Sequence, residues 1–430
     1  MQAVFLGLFL LVGEYKADPR LAWIPFDLTV GLASVLLLFI AYHLAKLDVK
    51  YQKQLVYLFM GVAACAIPLL WTVWTDFAVE KASRMFTLTL LACAAPLLIL
   101  RDRMDARLLL RTLTVIGLLM AADALFSLWR DTGTWKEESR LTAMGSNTIA
   151  LGRAAGIALI GILVSHGRRR WLTLAGKALA ILVLVPVIFA SGSRGPLIAI
   201  IVTMALFFLL FNARTLKQWL VMLLTVGIIA LALVVGSMVA PQGSRERIEQ
   251  SANADPTEDT RENASFAARY QAVKLSLKRI ARTPLGLGWG GFAGISQELG
   301  VTYPHNLIVE TFVEGGWVCG VLLCGTLVLL FRKAVKLARR SGSVTDRWVF
   351  LLAVFMFINS LMSGDINDNR LLFALLALAS ILEEMEPGRS HKPSSVMLKL
   401  RSPGRRWGMP KGRAASFTGP ARTTAHGSAR

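Results

Sequence analysis

The feature that most constrains this chain is the recurrence of long apolar runs that contain almost no charge. An uncharged helix of about 20 residues matches the thickness of the hydrocarbon core of a bilayer. Only 17% of the 430 residues are charged and 55% are hydrophobic, whereas a soluble domain carries about 25% charged residues. Besides residues 1–12, such runs lie at about 27–45, 55–74, 84–100, 112–129, 148–165, 171–190, 196–211, 217–240, 306–331, 347–363 and 370–383. The sequence therefore predicts an all-α, polytopic membrane protein with about 12 transmembrane helices.

The charges between these runs alternate along the chain. Every second loop is basic, at residues 46–53, 101–111, 168–170, 214–217 and 332–340. The intervening loops are close to neutral, at residues 14–20, 76–84, 130–140, 191–195, 241–303 and 364–370. Because loops rich in Lys and Arg stay in the cytoplasm, we expect both termini to be cytoplasmic and the long segment before residue 305 to be periplasmic.

Four segments follow from this pattern. Residues 1–240 are predicted to hold transmembrane helices 1–9, and residues 306–385 helices 10–12. Between them, residues 241–305 form one large periplasmic loop, in which residues 266–280 have the spacing of an amphipathic helix on the membrane surface. Residues 386–430 carry about half of the net charge of +20. This basic segment is predicted to be a disordered cytoplasmic tail that either contacts anionic membrane lipids or only aids solubility.

No residue pattern favours a metal, a soluble cofactor or nucleic acid. The four cysteines lie in apolar runs without metal-ligand spacing. Residues 365–369 resemble the start of a calcium loop, but Arg370 stands where the turn glycine is needed. We therefore expect no metal, no cofactor and no nucleic-acid partner.

His305 lies where the long polar segment meets a membrane-length apolar run. It follows Pro304 and is one of only five histidines. The first turn of a helix favours an anion, and its positive field would lower the pKa of an imidazole and keep it available as a base. Position alone is equally compatible with an interfacial histidine that, with Asn306, only caps the helix.

Two arginines are candidate anion-binding residues. Arg194 occupies a short Gly- and Ser-rich turn between two apolar runs, where a charge is costly unless it binds a partner or reaches water. Arg269 lies beside Tyr270 at the edge of the amphipathic stripe. Arginine binds phosphate through two parallel hydrogen bonds, although Arg269 by itself is also compatible with a solvated surface charge.

Other polar and aromatic residues are weaker candidates. The glycines of residues 284–292 would let the backbone fold tightly over a site, with Trp289 as a stacking face for a sugar. Glu310 could support His305 or Arg269. Asp365, in a polar turn on the same predicted side, could pair with the arginines or bind a glycan hydroxyl.

These residues resemble a known family. Ser193-Arg194-Gly195-Pro196, Arg269-Tyr270, residues 284–292, His305-Asn306 and Gly315-Gly316 are similar to motifs of the O-antigen ligase and polymerase superfamily, over residues 190–330 or so. The number of spans and the large loop before the histidine look most like the ligases. This resemblance implies transfer of O-antigen from undecaprenyl pyrophosphate to lipid A–core, at the periplasmic face of the inner membrane of a Gram-negative bacterium. It also implies that Arg194 and Arg269 bind the pyrophosphate and that His305 is the base of an inverting, metal-independent glycosyl transfer.

Two other readings stay open at this point. A polysaccharide polymerase of the same superfamily would use similar chemistry on another lipid-linked acceptor. A transporter of lipid-linked glycans would belong to a different class, but transporters place charged residues at mid-membrane. The candidate residues here lie at the predicted periplasmic ends of nearly charge-free runs, which favours an enzyme.

Overall fold

The computed structural model describes residues 1–46, 49–130, 141–165, 170–212, 216–240 and 261–385. These residues are mostly helical and include no strand, as the apolar runs predict. The basic segment 386–430 and the polar residues 241–260 lie outside the described residues, so their predicted character is not tested.

The helices are numbered here in chain order. Those before the long polar segment are α1 Gln2–Tyr15, α2 Leu28–Ala45, α3 Gln52–Ala66, α4 Asp76–Arg84, α5 Leu90–Ile99, α6 Arg103–Arg130, α7 Thr148–Val164, α8 Arg170–Ala190, α9 Arg194–Phe207 and α10 Leu216–Val239. Those after it are α11 Arg261–Arg282, α12 Gly291–Ile295, α13 Leu307–Arg340, α14 Val344–Ser360 and α15 Arg370–Ile381.

Several of these helices can cross a membrane. Within the described ranges, seven are both long and apolar enough to do so: Leu28–Ala45, Gln52–Trp71, Asp76–Ile99, Arg103–Arg130, Thr173–Ala190, Arg194–Phe211 and Leu307–Arg340. Three shorter apolar helices accompany them. The chain is therefore a multi-pass membrane protein. The number of about twelve spans and the orientation of the termini stay predictions.

Helix α7 forms the centre of the bundle and packs against α6, α8, α9 and α14. Its small residues allow this close approach. A Cβ atom on Gly156 would lie 2.2 Å from the ring of Phe355 in α14. A Cβ atom on Gly152 would lie 2.9 Å from Pro196 at the start of α9. The first half of α7 is thereby held against the start of α9 and against α14, next to the candidate site.

The sequence prediction is wrong for residues 76–84, which we expected to form a loop. Thr75 caps a helix there by accepting a hydrogen bond from the backbone N–H of Ala78 at 3.2 Å. The helix continues through a π-helical turn, Met85–Thr89, into α5. Charged residues near the end of an apolar run led us to place the boundary too late. As a result, Lys81 lies inside the protein instead of in a loop.

Helix α13 is broken at Gly316. This residue has φ 75° and ψ −176°, which glycine tolerates far better than other residues. The carbonyls exposed by the break bind the preceding glycine-rich loop. Val313 O accepts a hydrogen bond from the N–H of Leu287 at 2.9 Å. Glu314 O accepts one from the N–H of Gly288 at 3.0 Å. The predicted loop over the site is thus a structural partner of α13.

Candidate functional site

A polar cavity of about 610 Å³ contains both His305 and Arg269. It is formed by the end of α1, the starts of α2 and α7, helix α11, the residues that follow α14 and the turn before α15. Five cationic side chains line it against three carboxylates: Lys16, Arg84, Arg153, Arg269 and Arg370, and Glu14, Asp27 and Asp368. The excess of positive charge in a partly enclosed space suits an anionic ligand.

His305 lies just before the N-cap of α13, whereas we expected it in the first turn of the helix. Asn306 is the N-cap, and its Oδ1 accepts a hydrogen bond from the N–H of Val309 at 3.1 Å. Its Nδ2 donates to the carbonyl of Leu361, at the end of α14, at 3.0 Å. His305 itself has φ 57°, a left-handed backbone conformation that is uncommon for residues other than glycine. Asn306 thus caps the helix, while the adjacent residue, His305, lines the cavity.

The imidazole of His305 is held by packing. The ring of Tyr303 lies 4.4 Å from it, centroid to centroid, at an interplanar angle of 56°. Its Nδ1 is buried and accepts or donates no hydrogen bond within the described part of the chain. Burial and, secondly, the charge of Arg269 together lower the pKa of His305 to about 4, against the opposing effect of Asp365. The ring is therefore neutral near pH 7, as a base requires.

Arg269 is presented by α11. The predicted helix over residues 266–280 is present and longer, Arg261–Arg282. Ala272 and Ser276 are buried on its inner face, which packs against α13. Tyr270 is 62% exposed and does not line the cavity. Of this neighbouring pair, only the arginine reaches the candidate site.

Arg194 is the first residue of α9 and does not line the cavity. Its turn nevertheless lies next to it. A Cβ atom on Gly195 would lie 3.6 Å from both Asn359 and Met362, and the following Ser363 does line the cavity. The structure therefore brings His305 and Arg269 into one cavity and places the turn with Arg194 at its border.

Sequence reasoning missed Arg153. It lies in α7, is only 6% exposed and lines the cavity. Its Nη2 donates to the carbonyl of Ser363 at 3.0 Å, while its Nε is buried and has no hydrogen-bond partner in the residues described. A charge inside an apolar run is costly and often functional, and this signal could have identified it in the sequence. Arg84 and Arg370 also line the cavity; both lie in predicted loops and were not singled out either.

Glu310 forms a buried ion pair with Lys81, which the sequence analysis did not predict. Its Oε1 lies 2.6 Å from Nζ of Lys81, and both side chains are buried. Glu314 Oε2 lies at the same distance, 2.6 Å, from that ammonium group. Glu310 also accepts a hydrogen bond from the N–H of Ile366 at 3.2 Å. This triad joins α4, α13 and the turn before α15, and the prediction that Glu310 contacts His305 is not supported by these contacts.

Asp365 is a capping residue. Its carboxylate accepts hydrogen bonds from the N–H groups of Asn367 at 2.9 Å and Asp368 at 3.0 Å. The carboxylate that lines the cavity is Asp368. Within the ranges that the structure describes, no group of three or more His, Cys, Asp or Glu side chains is arranged to hold a metal ion.

Trp289 does not offer a stacking face to a sugar. It is 0% exposed, and its indole N–H donates to the carbonyl of Cys65 at 2.7 Å. Its backbone N–H donates to Thr72 Oγ1 at 3.0 Å. The predicted role is wrong because the glycine-rich loop inserts this residue between α3 and α13. Trp289 anchors that loop in the core.

Comparison with known families gives one match. A family model described as O-antigen ligase matches residues 179–324. The matched segment runs from α8 into α13 and includes Arg194, Arg269 and His305. Arg153, Asp368 and Arg370 contribute to the same cavity from outside it. Comparison with curated proteins gives no match.

Proposed function

We propose that the protein is an O-antigen ligase, on the premise that a family model described as O-antigen ligase matches residues 179–324. It would transfer O-antigen polysaccharide from undecaprenyl pyrophosphate to a sugar hydroxyl of lipid A–core at the periplasmic face of the inner membrane. The observation that carries the proposal is the cavity that unites His305, neutral near pH 7, with an excess of arginines.

The proposed reaction is a single inverting displacement. The acceptor hydroxyl loses its proton to the imidazole of His305, and its oxygen forms a bond to the anomeric carbon of the donor sugar. The bond from that carbon to the pyrophosphate oxygen breaks, and its electron pair leaves with the pyrophosphate. Arg269 and Arg153 stabilise the charge that grows on the leaving group. Arg194 binds the same group from the turn at the border of the cavity.

A genetic experiment tests the transfer and its acceptor. The chain is expressed in two Gram-negative hosts, one lacking its own O-antigen ligase and one lacking its polymerase, and the lipopolysaccharide is resolved on a gel. We expect a ladder of O-antigen on core to return in the first host only. A polymerase would restore long chains only in the second, where core otherwise carries a single repeat unit. A transporter would restore the ladder in neither.

Replacement of Arg153 by methionine is expected to weaken binding of the lipid-linked donor. The substitution keeps an unbranched apolar stem and removes the guanidinium group with its charge. Loss of one charge-assisted hydrogen bond costs about 1.5–3 kcal/mol, so KM for the donor should rise about 10- to 100-fold. Initial rates of the purified protein with a lipid-pyrophosphate donor measure this. Arg282→Met, at the exposed end of α11, is the matched control. An unchanged KM in folded Arg153→Met protein would contradict the assignment.

The pH dependence of transfer should report His305. Because its pKa is lowered to about 4 in the free protein, kcat/KM should stay constant from neutral pH downward and fall only near that value. The negative charge of bound pyrophosphate would offset the lowering of the pKa of His305 by Arg269. The acid limb of kcat should therefore lie at higher pH than the acid limb of kcat/KM. Arg269→Gln should move the limb of kcat/KM upward, toward the ordinary histidine value. An acid limb of kcat/KM above pH 6.5 in the wild type would contradict His305 as the base.

A further inference from the structure

A second cavity, of about 870 Å³, lies at the other end of the bundle. It surrounds the turn between α13 and α14, whereas His305 lies before α13 and next to the end of α14. Helix α7 lines both cavities, with Arg153 near its start in one and Gly161 near its end in the other. Under the predicted orientation this second cavity faces the cytoplasm. It plays no part in the proposed transfer.

Three arginines of α6 line this cavity at intervals of four residues, Arg103, Arg107 and Arg111, so they share one face of the helix. Arg103 is neutralised by Asp346, whose Oδ1 lies 3.0 Å from Nη1. Arg107 donates from Nε to the hydroxyl of Thr345 at 2.9 Å. For Arg107 and Arg111 the described residues provide no carboxylate partner. Two positive charges are therefore left without compensation at this cavity.

The first turn of α14 adds donors to the same space. Ser343 is the N-cap, and its side chain does not cap the helix. Ser343, Val344 and Thr345 all line the cavity. The backbone N–H groups at a helix N-terminus and the local dipole favour an anion. Asp346 in this turn offsets part of that field, but its carboxylate is already bound by Arg103 and by the hydroxyl of Ser341.

Trp348 provides an independent sign of a missing acceptor. Its side chain lines the cavity and is only 6% exposed. The indole N–H is buried and has no hydrogen-bond partner in the part of the chain that is described. Its ring packs closely on α7, where a Cβ atom added to Gly161 would lie 3.0 Å from it. A buried donor without an acceptor costs about 1–3 kcal/mol, and a ligand oxygen would remove this cost.

We propose that the cavity between α6 and the start of α14 binds a phosphate group, such as an anionic phospholipid headgroup or a free phosphate presents. Arg107 and Arg111 neutralise its charge. The N–H groups of α14 and the indole of Trp348 donate to its oxygens. The apolar side chains Val115 and Ile162 also line the cavity, and Val115 is exposed on the outer face of α6. An acyl chain attached to the phosphate could lie along this apolar side.

Native mass spectrometry of the full chain in detergent tests this proposal. The delipidated protein is titrated with phosphatidylglycerol, with phosphatidylcholine of the same acyl chains, or with inorganic phosphate alone. The double variant Arg107→Ala/Arg111→Ala should lose binding about 10-fold or more. Trp348→Phe, which keeps the ring and removes the N–H, should lose about 5-fold. Arg107→Lys/Arg111→Lys keeps the charge, and retention of most binding there shows that folding is intact.

The control is Arg339→Ala/Arg340→Ala, which removes two exposed charges from the same end of the bundle without touching the cavity. Preference for phosphatidylglycerol, lost only in the cavity variants, supports a lipid headgroup as the ligand. Equal dependence on the cavity residues with inorganic phosphate, and no preference among lipids, supports a soluble phosphate. An equal loss in the control variant, or no loss in the cavity variants, overturns the proposal. None of these results depends on glycosyl transfer.

Discussion

Replacement of His305 by alanine is expected to abolish transfer in a host that depends on this chain, leaving bare core and accumulated lipid-linked polymer of normal length. A general base contributes about 10²- to 10⁴-fold to a rate, and the lower end of this range already removes the ladder from a gel. The expectation rests on a ring that lines the cavity, is neutral near pH 7 and makes no hydrogen bond within the described residues. Those properties fit a base better than a purely structural histidine.

His43 is the matched control for this experiment. It is also a buried histidine, but it lies in α2 beside Gln2, with its Nε2 3.1 Å from the amide oxygen, and it does not line the cavity. His43→Ala should retain the ladder even where stability falls. His305→Gln should behave like His305→Ala, because an amide cannot accept the proton. An unchanged O-antigen ladder in the His305→Ala variant would contradict the assignment of His305 as the base.

The second large effect is expected at Lys81. Lys81→Met leaves the buried carboxylates of Glu310 and Glu314 without a cation. Breaking a buried ion pair on one side costs about 3–5 kcal/mol, because an uncompensated charge remains. We expect the free energy of unfolding to fall by about that amount, measured by denaturant titration in mixed micelles. Transfer should fall with it, because Glu310 also binds the turn that carries Asp368.

Compensating substitutions separate charge from packing in this triad. Lys81→Met combined with Glu310→Gln and Glu314→Gln removes all three charges at nearly constant volume, and neutral replacement of a buried ion cluster is often tolerated. Most of the lost stability should therefore return in the triple variant. Lys336→Met, on the exposed face of α13, should cost little. A triple variant as unstable as Lys81→Met would show that packing of the lysine stem, and not its charge, is what matters.

Hydropathy and charge were sufficient to predict an all-helical membrane protein, because long uncharged runs have few other solutions. His305 and Arg269 were predictable as well, since both lie in polar sequence where a single residue type stands out. The structure brings both into one cavity, and their roles stay predictions. For Arg194 the sequence predicted the turn correctly, and the structure places it at the border of the cavity.

Single charges within apolar runs were where the prediction failed. Hydropathy averaged over a whole span hides the single charge of Arg153. The start of the helix that holds Lys81 was placed too late in the sequence, so Lys81 was assigned to a loop. The spans are nearly but not entirely free of charge, since Arg153 and Lys81 are buried within helices. Trp289 was misjudged for a different reason. Its sequence neighbours are loop residues, and only the tertiary contacts with α3 show that it is buried.

The break at Gly316 couples the position of α11 to that of α13, because it frees carbonyl groups that bind the loop between them. The loop that leaves α11 at Arg282 is bonded to α13 through the carbonyls of Val313 and Glu314. The loop also packs closely on the helix, since a Cβ atom added to Gly286 would lie 2.4 Å from Glu314 O. The loop thus links α11, which carries Arg269, to α13, which begins two residues after His305. Under the proposed function, an acceptor that displaced α11 would also disturb the segment that carries His305, so we expect the acceptor to bind without moving α11.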